Sequence, residues 1–461
     1  MVQYDQIIDQ NPWWIQAKYL PVEASWPHRN LFSTLSDDLS KNLIQLITGL
    51  RRVGKSTLLK QIISLLLKEK VAADHILYFS FDKHAIDKNS TSLEALIDTY
   101  LSRRLKKRVF EISDSVYLLI DEIQYIDFWQ DILKRYYDMN KLIKFIISGS
   151  QSTKLQGKSK ESLAGRLIEY NASVLSIDEY LSISGLKNNY KTIWDCQLTH
   201  NGFHELYDYH YENHLHLEER LPAYLCYGQF PETLQYAEDI KFGYEYIKES
   251  VLGKILEIDI PAYYSIEKVN EFKLMAYHLL TNSSSFYELQ NIGRELGISK
   301  ATSEKYFSYL KNAYIIDVLY KYTKSNIKKG RSLKKAYAKS TNFITAINNY
   351  QLQYYEDLPE IFGKIIETYV WQRLISLFDT ISLWRKGNRE IDFIITNQGD
   401  SLKTILVEVK FKNKIRNNEI KYLFSHAADI GCQSVIVVTK STMEIQTISG
   451  IDAYFIPFYL I

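Results

Sequence analysis

The chain has 461 residues, which is enough for about three domains that each bury a core of their own. Its 56 Lys and Arg residues nearly balance its 54 Asp and Glu residues, so any binding of nucleic acid has to come from local patches rather than from the overall charge. The three cysteines lie far apart in the sequence, which excludes a disulfide framework and a clustered zinc site. The sequence has neither a membrane-spanning apolar run nor the basic-then-apolar order of a signal peptide, and we therefore expect a cytoplasmic protein with no membrane partner.

A phosphate-binding loop is predicted at residues 49–56, which read GLRRVGKS and lie between an apolar run and a helical pattern over residues 56–70. Glycines let the backbone N–H groups turn towards phosphate oxygens, and the following helix N-terminus adds partial positive charge. Lys55 is expected to reach the β and γ phosphates of a nucleoside triphosphate, and the Ser56 hydroxyl to ligate Mg²⁺. Arg51 and Arg52 are expected to orient the loop or to contact partners. The full set of residues predicted to bind the nucleotide is Gly49, Arg51, Arg52, Val53, Gly54, Lys55, Ser56 and Thr57.

Strand and helix patterns alternate after this loop. Strands are predicted at residues 76–81 and 116–120, with a helix at 92–107 between them. Continuous apolar strands that end in charged residues are typical of a parallel sheet covered by helices. The run at 116–120 ends in Asp121 and Glu122, which matches a Walker B element. Asp121 would hold Mg²⁺ through water, and Glu122 would polarise the attacking water.

Two further positions are candidates for catalysis. A strand at residues 144–148 leads to Ser148 and Ser150, either of which is placed to sense the γ-phosphate, because ligands of parallel sheets bind beyond the carboxyl ends of the strands. A polar turn is the alternative reading. Arg166 is a candidate for neutralising charge on the γ-phosphate, within its own subunit or in a neighbour's, and an ordinary surface arginine is the alternative. Residues 176–179 are expected to form a capping box that starts a helix.

The segments GLRRVGKST, LLIDEIQ, FIISGSQS and ESLAGR resemble the AAA-related P-loop ATPases of bacteria and archaea whose C-terminal half is a nuclease-like region. The resemblance covers residues 30–440 and includes the sequence YGQFPE at residues 227–232, which is similar to that family's Gly-Gly-Phe-Pro-Glu element. Gln229 stands where a second glycine is usual in that element. Lys339 and Ser340 stand where an aspartate often follows the family's Lys-x-Tyr segment. The resemblance implies that the nucleotide is ATP with Mg²⁺, and the sequence contains no guanine-specific Asn-Lys-x-Asp element.

Residues 265–339 have the pattern of three helices followed by strands. A capping box at residues 285–288 predicts a helix that ends at Leu296 and Gly297, and a second helix follows at residues 300–313. Helix, tight turn and helix form the helix-turn-helix signature. Its second helix would present Lys300, Thr302, Ser303 and Lys305 to DNA bases.

A strongly basic stretch follows this signature. Residues 321–339 contain no acidic residue, which predicts DNA binding mainly through backbone phosphates. A solvated basic face and a protein–protein spacer are the alternatives. The eight basic residues are Lys321, Lys324, Lys328, Lys329, Arg331, Lys334, Lys335 and Lys339.

The C-terminal region contains a carboxylate and lysine pattern on two predicted strands, at residues 389–395 and 404–411. Glu408 and Lys410 are two positions apart, so both point to one face of their strand, and charged groups inside an apolar strand are costly unless they have partners or a function. Together with Asp392 they resemble the PD-(D/E)xK nuclease superfamily. That resemblance implies Mg²⁺ held by Asp392 and Glu408, with Glu367 completing the site and Lys410 positioning a water. An exposed edge strand with a salt bridge is the alternative, and related folds also bind without cutting.

The expected fold class is therefore α/β, with a P-loop ATPase domain, a winged-helix middle domain and a restriction-endonuclease-like C-terminal domain. A P-loop ATPase domain of the AAA type with an N-terminal extension (residues 1–185) would precede a helical connector or lid (186–262), a winged helix (263–340) and a restriction-endonuclease-like domain (341–461). The leading hypothesis is an ATPase that couples ATP turnover to DNA binding. Whether the C-terminal domain also cleaves DNA with Mg²⁺ is left open by the sequence. Homo-oligomers are expected if Arg166 acts on a neighbouring subunit. The alternatives are an ATP-dependent regulatory switch and a protein-remodelling ATPase with an inactive nuclease-like domain.

Overall fold

A computed structural model describes residues 3–16, 18–82, 90–150, 163–185, 190–236, 239–322, 333–349, 359–387, 389–396, 404–430, 432 and 434–461. The chain divides into two compact units. The first comprises Met1–Ile183 with Asn312–Tyr314, and the second comprises Ser184–Lys311 with Ile315–Ile461. The first unit ends within two residues of the predicted boundary at 185, and the predicted boundaries at 262 and 340 stay predictions.

The described helices and strands are numbered in chain order. The helices are α1 (Tyr4–Asp9), α2 (Asn30–Asp37), α3 (Lys55–Lys68), α4 (Ser90–Thr99), α5 (Trp129–Met139), α6 (Ile177–Ile183), α7 (Ile193–Cys196), α8 (His200–Cys226), α9 (Pro231–Leu234), α10 (Ile240–Glu245), α11 (Ile260–Tyr264), α12 (Val269–Thr281), α13 (Leu289–Glu295), α14 (Lys300–Asn312), α15 (Thr341–Asn348), α16 (Pro359–Leu377) and α17 (Asn417–Ile430). The strands are β1 (Ile44–Gly49), β2 (Ile76–Ser80), β3 (Val116–Asp121), β4 (Ile143–Gly149), β5 (Leu167–Ala172), β6 (Ser285–Phe286), β7 (Ile316–Tyr320), β8 (Lys334–Ala338), β9 (Ile381–Lys386), β10 (Arg389–Thr396), β11 (Thr404–Val409), β12 (Ser434–Thr439), β13 (Glu444–Ile448) and β14 (Ile451–Pro457).

The first unit contains a five-stranded sheet in the order β2-β3-β4-β1-β5, and all of its strand pairs are parallel. Every residue of β1, β2 and β4 is buried, as expected for apolar strands covered on both faces. The predicted strands and their parallel arrangement are confirmed. This topology brings the carboxyl ends of β1, β3 and β4 to one edge of the sheet, next to each other.

The free edge of β2 is closed by side chains of the N-terminal segment, a feature that the sequence patterns do not predict. The Asn11 amide pairs with both backbone groups of Tyr78, at 2.7 and 2.8 Å, and the Gln10 amide oxygen accepts from the Ser80 N–H at 2.9 Å. The indoles of Trp13 and Trp14 both donate to the Ile76 carbonyl. These bonds satisfy backbone groups that an unpaired edge strand would otherwise leave open.

In the second unit, the region predicted as a helical connector or lid contains a long continuous helix. Helix α8 spans 27 residues. Its first turn is capped by the Thr199 hydroxyl, which accepts from the Gly202 N–H at 3.1 Å. Gly202 also lies against the preceding turn, since a Cβ there would be 1.9 Å from the Cys196 carbonyl oxygen.

Helices α12, α13 and α14 accompany a three-stranded antiparallel sheet in the order β6-β8-β7. The predicted capping box at residues 285–288 is wrong, because Ser285 and Phe286 pair with β8 as a short strand. The helix begins later, after Glu288, whose side chain makes no capping bond. The predicted turn at Gly297 is confirmed by its φ of 65°, which favours glycine.

The C-terminal part of the second unit is a six-stranded mixed sheet in the order β13-β14-β12-β11-β10-β9. Strands β9, β10 and β11 are antiparallel neighbours, whereas β11, β12 and β14 run parallel. Helix α17 packs its apolar residues, among them Ile420, Leu423 and Phe424, against this sheet. The strands predicted at residues 389–395 and 404–411 correspond to β10 and β11, whereas β9, β13 and β14 were not predicted. None of the helices among the described residues combines the length and the apolar character that crossing a bilayer requires.

Candidate nucleotide site and C-terminal carboxylate cluster

The predicted phosphate loop has the backbone that its glycines were expected to permit. Gly49 ends β1 with a φ of 143°, and Gly54 precedes α3 with a φ of 94°. Gly49 is also required by close packing, because a Cβ there would lie 2.1 Å from the Ala172 carbonyl oxygen. Lys55 is 5% exposed, and its ammonium donates to the carbonyls of Gly49 at 3.2 Å and Leu50 at 2.7 Å. The loop therefore holds a positive charge at the N-terminus of α3, where an anion is favoured.

A buried arginine that the sequence patterns did not identify, Arg29, donates hydrogen bonds that hold the phosphate loop in place. The Arg29 guanidinium donates to the Val53 carbonyl at 2.7 Å and to the Ser173 carbonyl at 2.9 Å. It also forms a two-point pair with Glu179, at 3.0 and 2.7 Å. Glu179 accepts from the Ser176 N–H at 3.0 Å, which is one half of the predicted capping box. Because no motif surrounds Arg29, only its three-dimensional partners reveal this positioning role.

The Walker B carboxylates lie at the end of β3, as predicted. Asp121 is 3% exposed and accepts hydrogen bonds from the Tyr78 hydroxyl at 3.1 Å and from the Ser148 hydroxyl. Glu122 follows the strand directly and has a positive φ of 58°, in the left-handed region of the backbone. Burial raises the pKa of Glu122, and the charge of Lys55 opposes that rise. A carboxylate with a raised pKa close to a lysine ammonium is a reasonable proton acceptor for an attacking water.

The two candidate serines have different partners. Ser148 is fully buried and bonds both to the Asp121 side chain and to the Glu122 N–H, so it positions the Walker B pair. Ser150 follows β4 and donates to the Glu122 carboxylate at 3.1 Å. Gln124, which was not singled out from the sequence, donates to Glu122 and to Ser150. Ser150 therefore lies with Glu122 and Gln124 in one network.

Arg166 lies at the opposite end of the sheet from the phosphate loop of its own subunit. Strand β5 runs parallel to β1 with Leu167 opposite Ile44, so Arg166 precedes the first residue of the strand. The loop follows the far end of β1, which is about 20 Å away for six residues of strand. Arg166 is instead paired with Asp138 at 2.7 and 3.1 Å. This geometry excludes the in-subunit alternative, and action on a neighbouring subunit stays a prediction.

Comparison with known families agrees with this geometry. Residues 41–181 match a family model described as an AAA domain. The first unit therefore contains a region similar to AAA domains. Residues 218–357 and 362–459 match two domains of unknown function, DUF8612 and DUF4143.

Two relatives that match most of the chain are described as uncharacterized proteins. One protein of Methanocaldococcus jannaschii is 27% identical over 392 residues, which are 83% of this chain and 78% of that protein. Another, from Haemophilus influenzae, is 24% identical over 446 residues, which are 95% of this chain and 99% of that protein. Among solved structures, AMPPCP-bound DnaA from Aquifex aeolicus is 14% identical, and the match covers 65% of this chain and 92% of that chain with a TM-score of 0.28.

Outside the ATPase domain, the second unit brings the predicted nuclease-like residues together. Asp392 on β10 and Glu408 on β11 are neighbours across the sheet, and the Asp392 N–H donates to Glu408 at 3.4 Å. Burial raises the pKa of Glu408 to about 8, and Asp392 adds to the rise. Glu408 accepts from Lys410 and from the Tyr422 hydroxyl, while Asp392 accepts from the Val409 N–H at 2.9 Å. The residue pattern was therefore found from the sequence, but its partner Tyr422 was not.

The residues present do not fit a divalent metal ion. The ammonium of Lys335, from β8, lies among the carboxylates of Glu367, Glu390 and Asp392. Within the part of the chain that the structure describes, no three Asp, Glu, His or Cys side chains are arranged to hold a metal ion. A buried ammonium at this position repels a second cation. The predicted Mg²⁺ ligands Glu367, Asp392 and Glu408 are thus engaged by lysine, tyrosine and backbone donors.

The predicted DNA-binding residues are only partly available. Lys300 and Lys305 are exposed on α14, but Ser303 is fully buried and bonds to the Ser299 carbonyl, so it cannot contact a base. Of the basic stretch, Lys335 is buried and Lys339 is paired with Asp317 at 2.7 Å. Four of the predicted basic residues lie outside the described residues, namely Lys324, Lys328, Lys329 and Arg331.

Proposed function

We propose that this protein is an ATP hydrolase whose reaction takes place between the phosphate loop and the end of β3. The observation that carries this proposal is the position of the Lys55 ammonium, which lies within the loop against the carbonyls of Gly49 and Leu50 and acts electrostatically on Glu122. In the proposed reaction, Lys55 and the loop N–H groups bind the β and γ phosphates of ATP. Arg51 and Arg52 would orient the loop or contact partners, and Val53 and Thr57 would flank the bound phosphates.

Mg²⁺ would supply the neutralising charge on the triphosphate, held by the Ser56 hydroxyl and by Asp121 through water. Hydroxyl and carboxylate oxygens are the ligands that Mg²⁺ prefers. Tyr78 and Ser148 keep the Asp121 carboxylate in place. Glu122 orients and deprotonates the attacking water, and Ser150 and Gln124 hold Glu122 in the correct orientation. Arg166 would act on the site of a neighbouring copy of the chain.

The substitution Glu122→Gln tests the hydrolysis step. Glutamine keeps the acceptor for Ser150 but cannot take up a proton, so ATP binding should persist while turnover falls by about a hundredfold or more. Single-turnover hydrolysis and equilibrium binding would be measured on the same preparation. The exposed Glu69→Gln on the end of α3 is the matched control. Normal turnover in Glu122→Gln would remove Glu122 from the proposed mechanism.

The second unit supports a further proposal, contact with DNA in an ATP-dependent switch. Three helices with a three-stranded antiparallel sheet, whose first strand lies between the first and second helices, are the elements of a winged helix. Helix α14 exposes Lys300, Lys305 and Lys311. Such lysines would contact backbone phosphates with little sequence preference. Because Lys335 lies among the C-terminal carboxylates, we do not extend this function to metal-dependent cleavage.

Replacing Lys300, Lys305 and Lys311 together by glutamine tests DNA contact by α14. Each lost phosphate contact should reduce the slope of log affinity against log salt concentration by about 0.9. Fluorescence anisotropy with a duplex of arbitrary sequence, at several salt concentrations, measures that slope. The control is Lys241→Gln, an exposed lysine on α10. An unchanged slope in the triple variant would exclude α14 as the DNA surface.

A further inference from the structure

Lys335 is a buried cation in the central strand of the three-stranded sheet. It pairs with Phe286 of β6 on one side and with Leu319 of β7 on the other. Only 4% of the residue is exposed. Its ammonium donates to Glu367 on α16 at 2.8 Å, contacts Glu390 on β10, and lies 3.6 Å from Asp392. One positive charge thus joins carboxylates from two separate elements of the second unit.

The surrounding charges keep this lysine protonated. Burial acts to lower the pKa of Lys335, but the charges of Glu367, Asp392 and Glu390 outweigh it and raise the pKa above its usual value. The same strand delivers a second donor, since the Tyr337 hydroxyl bonds to Glu367 at 2.7 Å. Residues two apart share one face of a strand. Strand β8 therefore presents an ammonium and a hydroxyl to the carboxylates together.

We propose that Lys335 is the resident counter-cation of the C-terminal carboxylate cluster, in place of a divalent metal ion. Three carboxylates around one ammonium carry more negative charge than they receive, and without the ammonium this excess negative charge would attract a divalent cation and draw the carboxylates around it. Lys335 fills the space between them, and a covalently attached cation cannot be removed by chelation or exchanged. The cluster then fastens β8 to α16 and β10 without metal, and the second unit has no metal-dependent active centre there.

Manganese titration of nucleotide-free full-length protein at pH 8, followed by electron paramagnetic resonance, tests this proposal. The wild-type protein should bind no Mn²⁺ ion at Glu367. The number of Mn²⁺ ions bound per chain should therefore be the same in Glu367→Gln as in the wild type. Lys335→Met removes the charge at nearly the same volume and leaves the carboxylates unpaired. It should bind one additional Mn²⁺ per chain, and this ion should be lost in Lys335→Met combined with Glu367→Gln. Lys335→Arg, which keeps the charge, should behave as wild type.

Two results would overturn the proposal. One is a wild-type Mn²⁺ ion that disappears on Glu367→Gln, because Lys335 would then not exclude the metal. The other is a folded Lys335→Met protein that gains no Mn²⁺. Where Lys335→Met alone does not fold, the double variant Lys335→Met with Glu390→Gln carries one carboxylate fewer and is titrated instead, with the same expectation and the same contradicting result. Circular dichroism establishes which variant is folded.

Discussion

At the scale of single residues, Gln229 shows how this chain differs from the family that its sequence resembles. Gln229 stands where that family usually has a glycine, and it is fully buried. Its amide oxygen accepts from the Ser340 hydroxyl at 2.7 Å and from the Thr341 N–H at 3.1 Å. Its amide nitrogen donates to Gln372 at 3.2 Å. Two unusual positions in the sequence, Gln229 and Ser340, are therefore direct partners, and together they fasten the start of α15.

Gln229→Ala should destabilise the protein by about 3 kcal/mol. The substitution leaves the Ser340 hydroxyl and the Thr341 N–H buried without their acceptor, and each unsatisfied group costs about 1–3 kcal/mol. Urea unfolding followed by circular dichroism measures the loss. Gln16→Ala removes an exposed glutamine and should change the stability little. Equal effects of the two substitutions would contradict the role of Gln229.

At the scale of elements, the sequence predicted those parts of the fold whose signal is local. The strands β1, β3 and β4 are apolar runs that end in the residues of the nucleotide site, so Lys55, Asp121 and Glu122 could be found and placed at one sheet edge. The same holds for the pattern of Asp392, Glu408 and Lys410.

The elements that depend on distant partners could not be predicted. Ser285 and Phe286 look like a helix start by spacing, yet they form a strand because β8 is beside them. Arg29, Tyr78 and Lys335 owe their roles to residues at least 24 positions away in the chain, as for Arg29 and Val53. A pattern of residue spacing covers only a few neighbouring positions, so it does not predict contacts between residues that are far apart in the chain. The presence of Lys335 in the carboxylate cluster is the clearest case, because it changes what the cluster can bind.

At the scale of the whole molecule, the buried carboxylates make stability depend on pH. Burial raises the pKa of Glu367 to about 7 and that of Glu408 to about 8, compared with a usual value of 4.5. The native state therefore retains protons that the unfolded chain releases between about pH 5 and 8. These protons make their full contribution to the free energy of unfolding at pH values below the usual carboxyl pKa. That contribution is lost as the pH rises through the native pKa values. Both lysines of the cluster stay charged in this range, because their pKa values are raised.

We expect the urea midpoint of the second unit to fall as the pH is raised from about 5.5 to 8, with a loss on the order of a few kcal/mol in unfolding free energy. Glu408→Gln cannot ionise and should make this dependence shallower. The exposed Glu295→Gln should leave the dependence as in wild type. A dependence that is identical in wild type and Glu408→Gln would contradict the raised pKa of Glu408.

Calorimetric titration of ATP with Mg²⁺ into wild type, Lys55→Ala and Lys68→Ala tests most directly whether the phosphate loop binds the nucleotide. Both lysines belong to α3, but Lys55 is enclosed by the loop and Lys68 is exposed at the other end of the helix. Loss of the charged contacts of Lys55 with phosphate should weaken binding by about a hundredfold, and Lys68→Ala should bind as wild type does. Unchanged affinity in Lys55→Ala would contradict the assignment of residues 49–56 as the triphosphate site.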